Sequence, residues 1–183
     1  MKPAKPVAPA KASAVSASDR RRTILKWSLL VVVTAICAAL ALWTTYLVEQ
    51  RLVLGEVRQV LPFLSLQRSA NSGVAFGLLG GRMAVILPAN AIAILVVLVY
   101  VYMERRPVLA GIAGGLIIGG SLGNIVQRVT GDGHVTDFLK FPHWPNYNLS
   151  DVFIIVGIAI VFLGLVVEAF RVLRAGHKAP ASR

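Results

Sequence analysis

Four stretches of this 183-residue chain run long without a formal charge: Trp27–Val48, Met83–Met103, Val108–Val126 and Val152–Val167. A hydrocarbon core about 30 Å thick needs roughly 20 apolar residues in a helix. The first three stretches meet that length as they stand. The fourth meets it only by taking in Asp151 and the Tyr147–Ser150 stretch, or by reaching past Glu168. A carboxylate therefore falls at or just inside a membrane boundary, where an acid is expensive and a functional candidate by default. Composition agrees with this reading. Hydrophobic residues make up 56% and charged residues 15%, outside the usual soluble range in both directions, which argues against an ordinary soluble enzyme and against a disordered chain. The expected fold is a mainly α membrane protein with four spans at about 27–48, 83–103, 108–126 and 150–169.

The net charge of +11 raises nucleic-acid binding, so the placement of the charge decides. Residues 1–26, 104–106 and 168–183 together carry +10, whereas residues 49–82 carry +2 and residues 127–151 carry −1. Alternate loops differ sharply, and the positive-inside rule then puts both termini in the cytoplasm. The basic balance is a topology signal, and no nucleic-acid partner is expected. Residues 1–23, rich in Ala, Lys, Pro and Ser, read as a disordered basic arm, residues 24–174 as the four-span domain, and residues 175–183 as a cytoplasmic tail. A cleaved export signal is a poor description of the first span, whose apolar run is too long and lacks a small-x-small site. Cys37, the one cysteine, excludes an internal disulfide, and no Cys/His cluster has metal-site spacing. It reads as a small residue facing lipid or the bundle. Glycines at 111, 115, 119 and 123 make one smooth helix face for close helix packing, ending at Asn124.

The unusual polar residues gather in the two loops assigned to the extracytoplasmic side. In the first, the start of Pro62–Gly77 alternates like a short strand, and Asn71-Ser72-Gly73 is a turn signal. The second holds Asn124, Arg128, Asp137, Asn148 and Asp151. The connection between Asp137 and Asp151 is long enough to bring the two carboxylates together, and Asn148 and Asp151 share a face if that stretch is helical. Asp151 should open the fourth helix, with Ser150 as its N-cap. Asp137 sits in a polar loop without help from a helix dipole, at a bilayer edge that raises a carboxylic acid's pKa. Two such carboxylates can share a proton, one serving as general base on water and the other as acid. The plainer alternative is a helix-start Asp and a loop Asp that faces water. Serine-elbow, zinc-protease and P-loop signatures are absent.

Asn71-Ser-Gly-Val-Ala-Phe76, Gly119-Gly-Ser-Leu-Gly-Asn124, Gly133-His-Val-Thr-Asp137-Phe138 and Asn148-Leu-Ser-Asp151 resemble, in order, the signature blocks of the lipoprotein signal peptidase (signal peptidase II) family. The likeness covers about residues 25–172. It implies an intramembrane aspartyl endopeptidase of the bacterial inner membrane, a four-helix bundle with a small extracytoplasmic β-cradle and a surface helix, and no metal or other cofactor. The implied substrates are diacylglyceryl-modified prolipoproteins cut before the lipidated Cys, with membrane lipid as a partner and globomycin-class cyclic peptides as inhibitors. By motif position Asp137 and Asp151 correspond to the catalytic pair. Asn71, Gly73, Asn124, Arg128 and Asn148 correspond to its surround, and Phe76 and Phe138 to the apolar wall.

The chain departs from the family pattern at supporting positions. Gln127 stands where an acid is usual, Ala41 and Thr45 replace a usual Asp and Ser-Lys region, and Ser150 replaces an Ala. Asp132 adds a third acid nearby that would compensate for Gln127. A family member that binds lipidated precursors without cutting them is therefore an alternative. A small transporter is a weaker one, since no charge lies in mid-span.

Overall fold

The computed structural model describes residues 10–73 and 82–176. Four helices are long and apolar enough to cross a membrane, and a three-stranded antiparallel sheet caps one end of their bundle. Helix α1 spans Ala10–Arg51, about 63 Å at 1.5 Å per residue, so it is longer than any one crossing. Its early start corrects the expectation of a disordered arm through Thr23. The arm's prolines stop at Pro9, and from Ala10 to Arg51 the chain has neither Gly nor Pro while Ala and Arg, strong helix formers, recur. The rest of the expected arm, residues 1–9, and all but the first two residues of the tail lie outside the described residues.

Helix α2, Met83–Met103, ends at a tight turn, and α3, Pro107–Thr130, begins with proline at its first position, where a missing N–H costs nothing. The turn is clamped from two sides. Lys26 Nζ donates to the carbonyls of Val101 (2.9 Å), Tyr102 (3.2 Å) and Glu104 (2.8 Å), satisfying acceptors that a helix end leaves open. The Glu104 carboxylate takes both the backbone N–H and the side chain of Arg106, whose hydrogen bonds hold it at a pKa of about 2. Arg106 also donates to the Gly164 carbonyl on α4, Leu149–Gly176.

Helix α3 is the hub, packing against the other three. Its glycine face is what lets α1 come close. A Cβ built on Gly111, Gly115 or Gly119 would lie 2.6–2.7 Å from Leu29, Val33 or Cys37, closer than carbon atoms approach. Cys37 thus faces the bundle and is buried. One residue around, a Cβ on Gly120 would run into the Ser150 carbonyl, so the start of α4 rests directly on α3.

The sheet runs β1 (Val57–Leu61), β2 (Leu64–Asn71) and β3 (Val135–Lys140) in that order. The hairpin closes at Pro62–Phe63, with Leu61 opposite Leu64, ahead of the Asn71-Ser72-Gly73 signal; residues 74–81, beyond it, lie outside the described residues. Strand β3 pairs with β2 through Ser69↔Asp137 and Asn71↔Val135 and packs against α1 and α3. Asp137 accordingly stands in a strand, which corrects its placement in a polar loop. Val135, Thr136 and Phe138 favour strand, and β2 supplies a partner from far away in the chain.

Candidate active site

The site forms where the sheet meets the ends of α3 and α4. At the start of α4, three neighbouring residues are able to cap, and Asn148 does so. Its Oδ1 accepts the Asp151 N–H at 3.1 Å, and the Asp151 carboxylate accepts the Asn148 N–H at 3.1 Å. This reciprocal pair is a capping box, and it corrects the assignment of the cap to Ser150. Ser150 is fully buried against Gly120 and Gly123 instead. The box leaves the Asn148 amide nitrogen free to reach the second acid. It donates to Asp137 Oδ1 at 2.8 Å and to Asn124 Oδ1 at 3.1 Å.

Asp137 points from β3 into the same space. Asn71 Nδ2 donates to its Oδ2 at 2.9 Å, while Asn124 Nδ2 donates to Asp151 Oδ1 at 2.9 Å. Each carboxylate therefore accepts one asparagine of its own, and Asn148 is shared. Asp137 is 3% exposed. Burial pushes its pKa up to about 6, the Asp151 charge adding to the rise and hydrogen bonds from Asn71 and Asn148 opposing it. Arg128, also buried, donates to the carbonyls of Asn124 and Gly73, and its charge works against the rise at Asp137. The Gly73 N–H closes back on Asn71 Oδ1 at 2.8 Å. Gly73 thus joins the Asn71 turn to Arg128 without itself facing the cavity.

A cavity of about 250 Å³ opens over this constellation. Asn71, Asn124, Arg128, Asp137 and Asp151 line its polar side, Ile154 and Ile155 of α4 its apolar side, and Asn90 of α2 looks in from a separate wall. Phe138 does not line it. As the neighbour of Asp137 in a strand it faces the other way, and it is buried there. Phe76 lies outside the described residues. Asn90, Asn146 and Ser69 went unread in the sequence. Asn146 Nδ2 donates to Ser69 Oγ at 2.9 Å, and Ser69 Oγ to the Asp137 carbonyl at 3.1 Å, so both brace β3. A lone amide within an apolar span was the available signal for Asn90.

Two of the departing residues, Thr45 and Gln127, lie behind β3, around a second cavity of about 250 Å³ that Glu49 and Thr136 also help to line. Gln127 Oε1 accepts the Thr136 N–H at 3.0 Å and Thr136 Oγ1 donates to Glu49. Thr45 Oγ1 and Gln127 Nε2 have no partner among the described residues, and Ala41 is buried near Gly123. Asp132 occupies the left-handed turn after α3 (φ 52°) and lines neither cavity. Among the described residues, His, Cys, Asp and Glu form no group of three or more able to hold a metal ion.

A family model described as Signal peptidase (SPase) II matches residues 14–167. A lipoprotein signal peptidase of Symbiobacterium thermophilum is 37% identical over 130 residues, which are 67% of this chain and 84% of that protein. One of Halothermothrix orenii is 39% identical over 95 residues, 52% of this chain, and the match spans just under two thirds (65%) of that relative. A solved bacterial membrane enzyme shares the fold with a TM-score of 0.72 at 21% identity, over 84% of this chain and 93% of that one. The matched span takes in α2, α3, the sheet, both acids and most of α1 and α4, and on it the chain belongs to the signal peptidase II family, a family of aspartic peptidases.

Proposed function

We propose that this chain removes the signal peptide from diacylglyceryl-modified prolipoproteins, cutting before the lipidated Cys, with Asp137 and Asp151 as the catalytic pair. The observation that carries the reading is the sharing of Asn148 by two carboxylates at one half-apolar cavity, with one of them buried and raised to about pKa 6. Asp137 holds the proton. Asp151 takes a proton from water as its oxygen bonds to the scissile carbonyl carbon, and Asp137 protonates the carbonyl oxygen. When the diol collapses, the C–N bond breaks, the leaving amine takes the proton from Asp151, and a diol hydroxyl returns one to Asp137. Arg128 and the three asparagines orient the pair, and the apolar wall admits the membrane-embedded part of the substrate. Lipid bound away from the scissile bond contributes energy that positions it.

The charge asymmetry of the loops supports an inner-membrane orientation with both termini cytoplasmic and the sheet on the extracytoplasmic side. A peptide-like inhibitor of the globomycin class would fill the same cavity. Gln127, Ala41 and Thr45 leave every hydrogen bond of the pair intact, which argues against a member that only binds. The test is incubation of the purified protein in detergent with a diacylglyceryl-modified prolipoprotein, and mass determination of the product. A mature chain beginning at the lipidated Cys supports the reading. An intact precursor, or cleavage at another bond, overturns it.

A further inference from the structure

Asn90 is the one Asn, Gln or charged residue within Met83–Met103, and the neighbouring residues on the outer face, Ile92, Leu95, Val96 and Val99, are exposed and apolar. It belongs to the face of α2 that meets α3. Val97 and Val101 of that face surround Gly114, and Asn90 lies two turns before Val97, at the spacing that keeps residues on one side of a helix. Its depth is that of the two acids, because it lines the same cavity. Its Nδ2 donates to the Ile86 carbonyl at 2.9 Å. That contact fixes which way the amide points. The nitrogen is turned to its own helix, leaving Oδ1, an acceptor with two lone pairs, without a partner among the described residues.

What would use such an acceptor follows from peptide chemistry. A chain presented for cleavage is extended, so its main-chain N–H groups are not paired within it, and an unpaired N–H at membrane depth is costly. The other asparagines around the pair already use their side-chain oxygens, Asn71 Oδ1 accepting the Gly73 N–H, Asn124 Oδ1 the Asn148 amide and Asn148 Oδ1 the Asp151 N–H, and the carboxylates are committed to chemistry. From α2, the cavity receives only Asn90. Resting on the peptidase reading above, we propose that Asn90 is a substrate-binding residue whose Oδ1 accepts a main-chain N–H of the precursor next to the scissile bond, on the side facing α2. Pairing of Nδ2 with Ile86 alone would be a local helix contact, as is common for such side chains, and it predicts no effect on substrate.

The test compares the original protein with Asn90→Leu and Asn90→Ala in detergent. The substrates are a lipidated precursor and a series of precursors N-methylated at single main-chain nitrogens around the scissile bond. The expected result is a fall of about tenfold in kcat/KM for both variants, carried mainly by KM, with unchanged melting temperatures. At one position N-methylation should cost the original protein a similar factor and cost the variants nothing further. Unchanged kcat/KM in both variants, or N-methyl losses that add to the variant's loss at every position, would overturn the assignment. Should the original protein leave the precursor intact, the peptidase reading fails separately. Binding of that precursor, weaker to Asn90→Leu or equal, then decides the role of Asn90.

Discussion

At the scale of single residues, Asn148 carries two duties at once. Its backbone and Oδ1 close the capping box with Asp151, while its Nδ2 holds Asp137. Asn148→Ala should therefore lose about 1–2 kcal/mol of stability, the cost of removing a cap, and lose activity well beyond that, because Asp137 and Asp151 are no longer tied together. Melting and cleavage measured on one preparation separate the two effects. Asp137 makes a prediction with a definite sign. Its folded pKa of about 6 lies above the ordinary 3.8, so the folded state binds the extra proton. The site is least costly below about pH 4, stability falls as pH rises from there through about 6, and it stays level above. Asp137→Asn removes that penalty but sets its amide nitrogen against the Nδ2 donor of Asn71 or Asn148, so it should stabilise the protein at pH 7 by less than the full value of about 3 kcal/mol, a gain that disappears near pH 4. Unfolding at the two pH values checks it. The same proton should make kcat/KM decline as pH rises through about 6, with the apparent values belonging to the pair. The two acids and their asparagines were legible because they recur in ordered blocks. Asn90 was not, since a lone amide in an apolar run marks a polar position without showing which helix or cavity it faces. Ser150 was misread because Asn148, Ser150 and Asp151 are all able to cap, and only the backbone geometry chooses among them.

At the scale of elements, α3 sets the site by how closely it lets its neighbours come. Its spaced glycines were readable as a packing face, and all four of them meet α1 as that spacing implies, Gly123 at Ala41. The contact of Gly120 with Ser150 was not readable, because it depends on how α4 is rotated. It is also the contact nearest the chemistry. Gly120→Ala places a methyl group against the Ser150 carbonyl, a backbone atom one residue from Asp151. The first turn of α4 must move away, and overpacking of this kind costs about 1–3 kcal/mol. Cleavage should fall by more than that stability loss explains, and Gly55→Ala, at a left-handed surface turn with open space around it, should affect stability and leave kcat unchanged. A Gly120→Ala protein with full kcat would refute this view of α3. Strand β3 was missed for a different reason. Its residues favour a strand, yet its partner β2 lies more than sixty positions earlier, and local sequence does not announce so distant a pairing.

Across the whole molecule, the four spans and the charge asymmetry of the loops come straight from long apolar runs and the distribution of Lys and Arg. What they do not reveal is how the two ends of the bundle are secured. One end is locked by Lys26, Glu104 and Arg106 reaching across three helices; the other carries the sheet that delivers Asp137 to Asp151. Glu104, held near pKa 2, contributes stability that is full above its ordinary value and is lost as pH falls through about 4.5 toward 2, the opposite trend to Asp137. The central claim is that two carboxylates, supplied by the sheet and by α4, perform the hydrolysis together. Its most direct measurement is cleavage of a diacylglyceryl-modified prolipoprotein by the original protein, Asp137→Asn and Asp151→Asn, each first shown to be folded by its melting transition. The account predicts product from the original alone, with both variants folded and inactive. Product from either folded variant would contradict it.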